Sequence, residues 1–193
     1  MISAIILAAG RSIRMGRPKL LLPWGDTTVL GQVIKTMRGA GIQNILIVTG
    51  GAREQVEEIA RGWKVNTVHN ENFESEEMLA SLQCGLRQQK PEVEAALVCL
   101  GDQPQVEEGS VRSVCEAFRK NNSPLVVPSY HMRRGHPWLA GRALWDELLK
   151  MRSPQSPRDF LNAHENEIEY AIVDTPSVIA DLDTPEDYLK SRL

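Results

Sequence analysis

Cysteine is scarce in this 193-residue sequence, and what there is forms no pattern. Cys84, Cys99 and Cys115 are widely spaced, make no CxxC and have no histidine at zinc-ligand spacing. That excludes a disulfide framework and a zinc module. Cys99 lies in an apolar run and reads as a small buried hydrophobe. No apolar stretch approaches the ~20 residues that cross a bilayer. The first apolar run ends in Ala9-Gly10 without a cleavage pattern, so no signal peptide is read. The expectation is a protein of the reducing cytoplasm with no membrane partner. A basic surplus is also missing: 22 Lys and Arg stand against 25 Asp and Glu, a net charge of −3. Dedicated nucleic-acid binders are normally basic overall. Aromatic residues make up 5% of the chain and none interleaves with the N-terminal arginines, so no stacking platform for a nucleic acid is expected.

What is present fits one globular domain spanning residues 1–193. The hydrophobic fraction of 42% and charged fraction of 24% are ordinary, and this length buries a core without covalent staples. Ile2 to Ala9 is a continuous apolar run stopping at glycine, the pattern of a strand buried on both faces of a parallel sheet. Val29, Leu30, Val33, Ile34 and Met37 then recur at helical spacing over 27–39. Strands follow at 44–49, 64–69, 95–100 and 124–128, separated by helices near 52–61, 76–89 and 107–120. Beyond 128 the rhythm breaks into a loop carrying Tyr130, His131, Arg133, Arg134 and His136. Helical stretches near 142–150 and 157–163, a strand at 169–173 and a helix at 184–191 close the chain. The alternation predicts an α/β fold with a doubly wound, mostly parallel sheet and helices on both faces.

Such sheets bind ligands at the carboxyl ends of their strands. Two features occupy those ends. After the first strand, Gly10 to Lys19 carries Arg11, Arg14, Arg17 and Lys19, and no acidic residue occurs before Asp26. Glycines at 10 and 16 let backbone N–H groups point at an anion, and the cations add charge. The loop is neither a P-loop, which needs GxxxxGK followed by Ser or Thr, nor a GxGxxG fingerprint. An anion cradle and a solvated connector both fit it. After the fourth strand stands Asp102, in Gly101-Asp102-Gln103-Pro104. A carboxylate there binds a metal, caps a helix or starts a turn. A triphosphate normally arrives with magnesium, which needs oxygen ligands.

Leu7 to Pro23 reads LAAGRSIRMGRPKLLLP and resembles the signature LAAGxSxRMGxxKLLLP of the nucleotidyltransferase family. Gly101 to Pro104, Arg134-Gly135-His136-Pro137 and Asp181 to Asp187 resemble three further motifs of that family, in the same order. Together they look like its molybdenum cofactor cytidylyltransferase branch. The resemblance implies that the backbone from Leu7 through Ala8 and Ala9 to Gly10 lies along base and ribose. It implies that Arg14 and Lys19 neutralise the triphosphate, that Asp102 holds Mg²⁺ joined by Asp183, and that Arg134 and His136 face the acceptor. Asn70 and Ser81 are candidates near the nucleobase. One stretch departs from the family: Glu77 precedes Met78 where glycine is expected, which leaves the choice of base open. Asp183 equally suits the start of the last helix, where Thr184-Pro185 also fits.

The reaction so implied is transfer of a nucleoside monophosphate, CMP from CTP, to a phosphorylated acceptor such as molybdopterin, with release of pyrophosphate. Catalysis then rests on positioning and charge neutralisation rather than on a general base. Partners are the small acceptor and, downstream, a molybdoenzyme or its maturation chaperone. A guanylyl- or sugar-phosphate nucleotidyltransferase of the same fold and a non-catalytic cofactor-insertion chaperone remain alternatives.

Overall fold

The structure, a computed structural model, describes residues 1–12, 15–75, 78–121 and 123–191. Strands β1 (Ile2–Ala8), β4 (Asn44–Thr49), β5 (Asn66–His69), β6 (Ala95–Leu100), β7 (Leu125–Tyr130) and β10 (Ile168–Ile172) all run the same way in one sheet. A two-stranded ribbon of β2 (Pro23–Trp24) and β3 (Thr27–Thr28) stands apart from it. The order across the sheet is β10-β7-β9-β6-β1-β4-β5, where β9 (Trp138–Gly141) runs antiparallel to both neighbours. A short β8 (Arg133–Arg134) folds back on β7.

Helices cover both faces, so the expected doubly wound, mostly parallel α/β architecture is the one observed. Each strand splits its side chains between two cores, as the period of two requires. From β1, Ile2, Ala4, Ile6 and Ala8 enter the core beneath α1 (Val29–Gly39), α2 (Arg53–Gly62) and α4 (Glu108–Asn121). Ile5 enters the opposite core with α3 (Met78–Arg87), α5 (Trp145–Lys150) and α6 (Pro157–Ala163). Trp138 and Phe160, both fully buried, stack there with centroids 6.3 Å apart. Helix α3 lies close on the sheet because position 85 is glycine: a Cβ there would come within 2.5 Å of Ile5 Cγ2.

Two expectations need correction. The loop reading after residue 128 missed β9, although these four residues are buried and separate β6 from β7. The strand expected from Lys64 starts at Asn66, because Lys64 has φ +53°, outside extended geometry. Among the described residues no helix is long and apolar enough to cross a membrane.

Candidate active site

The order β6-β1-β4 places β1 where the chain's direction of winding across the sheet reverses. First β4 and β5 are added on one side of β1, then β6 on the other. Connections leaving neighbouring strands at such a point diverge to opposite faces and open a crevice at the carboxyl edge. A cleft of about 520 Å³ occupies it, within the range of small-molecule sites. Leu7, Ala8, Ala9 and Gly10 form one lining segment, and Lys19, Asp102 and Asp183 supply charge. Phe73, Met78 and Ser81 line it from α3 and the turn before it.

The floor is held by backbone bonds across strand ends. Gly101 N–H donates to Leu7 carbonyl at 3.0 Å, and Gly51 N–H to Ala9 carbonyl at 3.3 Å. The loop after β4 lies so close that a Cβ on Gly50 would come within 2.4 Å of Ala9 carbonyl oxygen. The cationic loop then turns back on itself: Met15 N–H donates to Ser12 carbonyl at 3.1 Å, and Lys19 N–H to Ser12 Oγ at 3.1 Å. Ser12, with φ +53°, therefore sets where Lys19 begins its own short 3-10 turn (Lys19–Leu21). Ser12, Met15 and Leu20 also line the cleft, and in the sequence their place in the motif is their one sign of a role.

Lys19 is the electrostatic centre. Its Nζ contacts Asp102 Oδ2, lies 3.3 Å from Asp183 Oδ1 and donates to Leu182 carbonyl at 3.2 Å. Burial alone pulls the ammonium's pKa down, but Asp102 first and Asp183 second outweigh it, and the net displacement is upward. Asp102 follows β6 and Asp183 precedes α7 (Pro185–Ser191), so two distant segments converge on one cation. Side-chain bonds between Thr184 and Asp187 cap the start of α7. Thr184 N–H and Oγ1 donate to Asp187 Oδ2 at 2.9 and 2.8 Å, and Asp187 N–H returns a bond to Thr184 Oγ1 at 3.2 Å.

The remaining candidates lie elsewhere. Asn70, 4% exposed, is absent from the cleft lining but bonds Ser81, which is in it. Arg134 and His136 do not line the cleft. The Arg134 guanidinium donates to Tyr170 Oη at 3.0 Å, Asn162 Oδ1 at 2.8 Å and Glu165 Oε1 at 2.8 Å. His136 N–H donates to Val178 carbonyl at 2.8 Å. Burial pushes the His136 imidazole down to about 4, with Asp102 opposing, so at neutral pH it carries no charge. Arg14 and Glu77 lie outside the described residues.

The donor set suits a hard divalent cation. Asp102 and Asp183 offer carboxylate oxygens toward a shared point where Lys19 already supplies positive charge. Among the described residues no cluster of three or more His, Cys, Asp or Glu forms. Magnesium sites that share a triphosphate use one or two carboxylates, phosphate oxygens completing the shell.

Comparison with known proteins identifies the family. Residues 4–168 match the model of the MobA-like NTP transferase domain. The molybdenum cofactor cytidylyltransferase of Escherichia coli (strain K12) is 25% identical over 99% of this chain and 95% of its own length. The crystal structure of Rv0371c from Mycobacterium tuberculosis H37Rv superposes with a TM-score of 0.87 at 30% identity, covering 99% of this chain and 97% of that one. A nucleotidyl transferase from Methanothermobacter thermautotrophicus gives a TM-score of 0.85 at 27% identity, covering 100% and 96%. The chain belongs to the MobA-like NTP transferase domain family and is a nucleotidyltransferase.

Proposed function

We propose that the chain transfers CMP from CTP to the phosphate of a pterin acceptor of the molybdenum cofactor type, with a divalent cation and with release of pyrophosphate. The observation that carries this reading is the convergence of Lys19, Asp102 and Asp183 in the lining of a cleft that Leu7 to Gly10 also line. Support for the metal comes from the two carboxylates and from the solved manganese complex of Rv0371c, 29% identical with a TM-score of 0.79. Support for cytidylyl transfer to this acceptor class comes from the full-length likeness to the E. coli enzyme.

In this reading the base and ribose lie against Leu7, Ala8, Ala9 and Gly10, and the phosphates reach Lys19. Arg14 belongs to the same phosphate group of residues, on the strength of its place in the motif. An oxygen of the acceptor phosphate forms a bond to the α-phosphorus while the α–β bridging bond breaks, its electrons leaving with pyrophosphate. A phosphate monoester is already anionic near neutral pH, so no side chain has to take a proton. Asp102 and Asp183 would hold Mg²⁺, which would supply charge neutralisation on the phosphates. Lys19 shifts from its carboxylates to the departing pyrophosphate, where charge develops. On this reading the acceptor lies on the His136 side, and the uncharged His136 ring, which does not line the cleft, has to become accessible to meet it. For Arg134 to reach the acceptor it must leave Tyr170, Asn162 and Glu165.

The test is pyrophosphate release with each of the four triphosphates, Mg²⁺ and molybdopterin, beside thermal shift with the same triphosphates. A saturating triphosphate at about 100 times its Kd stabilises the fold by about 2.7 kcal/mol. A CTP-selective shift is expected, and Lys19→Ala and Asp102→Ala are each expected to lose about 10²–10³ in rate. A GTP-selective shift overturns the cytidylyl assignment, and wild-type turnover in either variant overturns the site.

A further inference from the structure

Among the described residues, the polar group that lines the cleft from α3 is Ser81, 6% exposed, beside Phe73 and Met78. The charged residues described in the lining enter from other segments, after β1, after β6 and before α7. Ser81 therefore faces the apolar portion of the cleft, where the flat base of a nucleotide finds its contact. What Ser81 offers to that base is decided behind it, by Asn70.

The side chain of Asn70 is fixed at both ends. Its Oδ1 accepts from Asn72 N–H at 3.0 Å, and its Nδ2 donates to Ser81 Oγ at 3.0 Å. A flipped amide would set N–H against the Asn72 N–H, so the bond from Asn72 settles which way the group points. The backbone beneath is pinned as well, Asn70 N–H donating to Thr49 carbonyl at 3.0 Å at the end of β4, and Phe73 N–H to Asn70 carbonyl at 3.2 Å. Ser81 Oγ thus already accepts a bond from behind, and its single O–H remains to be given. Among the described residues no protein acceptor takes it. The cleft therefore presents a donor at this point, matched to an acceptor atom of the base such as a pyrimidine carbonyl or ring nitrogen.

We infer that Asn70 is a positioning residue for nucleotide selection: it does not touch the nucleotide, but it locks Ser81 as a hydrogen-bond donor toward the base. This rests on the nucleotidyl-transfer reading above. Asn70→Asp keeps the size of the side chain and reverses the lock. The carboxylate accepts the Ser81 O–H, and only lone pairs then face the base.

The experiment measures the Kd of CTP and of inorganic tripolyphosphate, each with Mg²⁺, for the wild-type chain and for Asn70→Asp, Ser81→Ala and the double variant. Asn70→Asp is expected to weaken CTP about tenfold or more, the loss that goes with one unsatisfied buried polar contact. Tripolyphosphate, which has no base, is expected to stay within about twofold on the same argument. In the Ser81→Ala background the Asn70→Asp step is expected to add little, as coupled residues show in a double-mutant cycle. Equal weakening of both ligands, or an undiminished loss without Ser81, overturns the inference, because a general disturbance or the added charge then explains the effect. Asn70→Ala serves as a second variant and is expected to weaken CTP about threefold by freeing the hydroxyl. A wild-type chain that binds none of the four triphosphates overturns the nucleotidyl-transfer reading itself, separately from Asn70.

Discussion

In the proposed reaction Lys19 has two jobs that conflict, and the conflict is measurable. Without nucleotide its ammonium neutralises Asp102 and Asp183, the two groups proposed to hold the metal. A cation entering alone must displace it. The Asp183 contact, with that side chain 46% exposed, is worth a few tenths to about 1 kcal/mol. The Asp102 contact is more enclosed, with 15% and 22% exposure for the two side chains, and a charge-assisted bond of that kind contributes about 1.5 kcal/mol. Displacement thus costs about 2 kcal/mol, or roughly 30-fold in affinity. Lys19→Met keeps the aliphatic stem and removes the competitor. The variant is expected to bind Mn²⁺ about 30-fold more tightly than wild type when no nucleotide is present, read as free Mn²⁺ by electron paramagnetic resonance. With a non-hydrolysable triphosphate, wild-type Lys19 moves to the phosphates and the cost disappears, so metal and nucleotide bind synergistically. Because coupling is reciprocal, the variant loses that synergy from both directions. Unchanged or weaker Mn²⁺ binding by nucleotide-free Lys19→Met would refute the reasoning, since the ammonium would then not be competing for the site.

Two further outcomes follow from the scaffold. Gly50→Ala forces a Cβ within 2.4 Å of Ala9 carbonyl oxygen and 2.7 Å of its Cα, which are backbone atoms that cannot rotate away. It is expected to destabilise by about 1–3 kcal/mol in urea unfolding and to shrink the triphosphate-induced thermal shift, whereas full stability would contradict the close approach. His164 lies between Glu147 Oε1 at 2.9 Å and Glu167 Oε1 at 3.1 Å, with the Phe160 ring centroid 4.6 Å away. Burial lowers its pKa, but the bonds to Glu147 and Glu167 outweigh this and raise it above the ordinary value of 6.5. The folded state therefore holds the proton more tightly than the unfolded chain. The added stability is complete below pH 6.5 and disappears as pH rises through the folded-state pKa. Urea midpoints are expected to fall across that window in wild type and to flatten there in His164→Gln.

Strands β1, β4 and β6 were legible because each is a mainly apolar run that no helix period explains. In β1, Ile5 and Ile6 serve opposite cores, so both faces are apolar except at the small buried Ser3, which does not disguise the strand. Strand β9 carried no such sign. Trp138 to Gly141 is only four residues long and follows Arg134-Gly135-His136-Pro137, which reads as a loop. It becomes a strand through pairing on both sides, Leu97 with Leu139 from β6 and Val126 with Leu139 from β7. Those partners lie far away in the chain, and no local pattern reports them. Arg134 is similar: its three acceptors stand 28 to 36 residues later, on α6, β10 and the turn between them. As a sequence motif it could suggest a binding role, but not the brace it makes.

Asp183 shows what the sequence could not decide and why the fold can. In the sequence, Asp183 and Thr184 compete for the start of the last helix, and capping chemistry suits both. The structure gives the cap to Thr184 and Asp187, which turns Asp183 toward Lys19. Delivery of Asp183 depends on anchoring a segment that belongs to no sheet. Gln103 Nε2 donates to Asp181 Oδ1 at 2.9 Å, and Gln105 Nε2 donates to Ala180 carbonyl. Leu182 is 1% exposed in the core, and Tyr188 Oη donates to Pro23 carbonyl at 2.6 Å. The glutamines follow Asp102 on the β6 loop, and Pro23 follows Lys19. The two segments that carry the other members of the triad therefore also hold the third in place. The site's geometry is a property of this cross-bracing, so Asp183 is positioned only in the complete fold, whereas Lys19 and Asp102 are set by neighbouring strand ends.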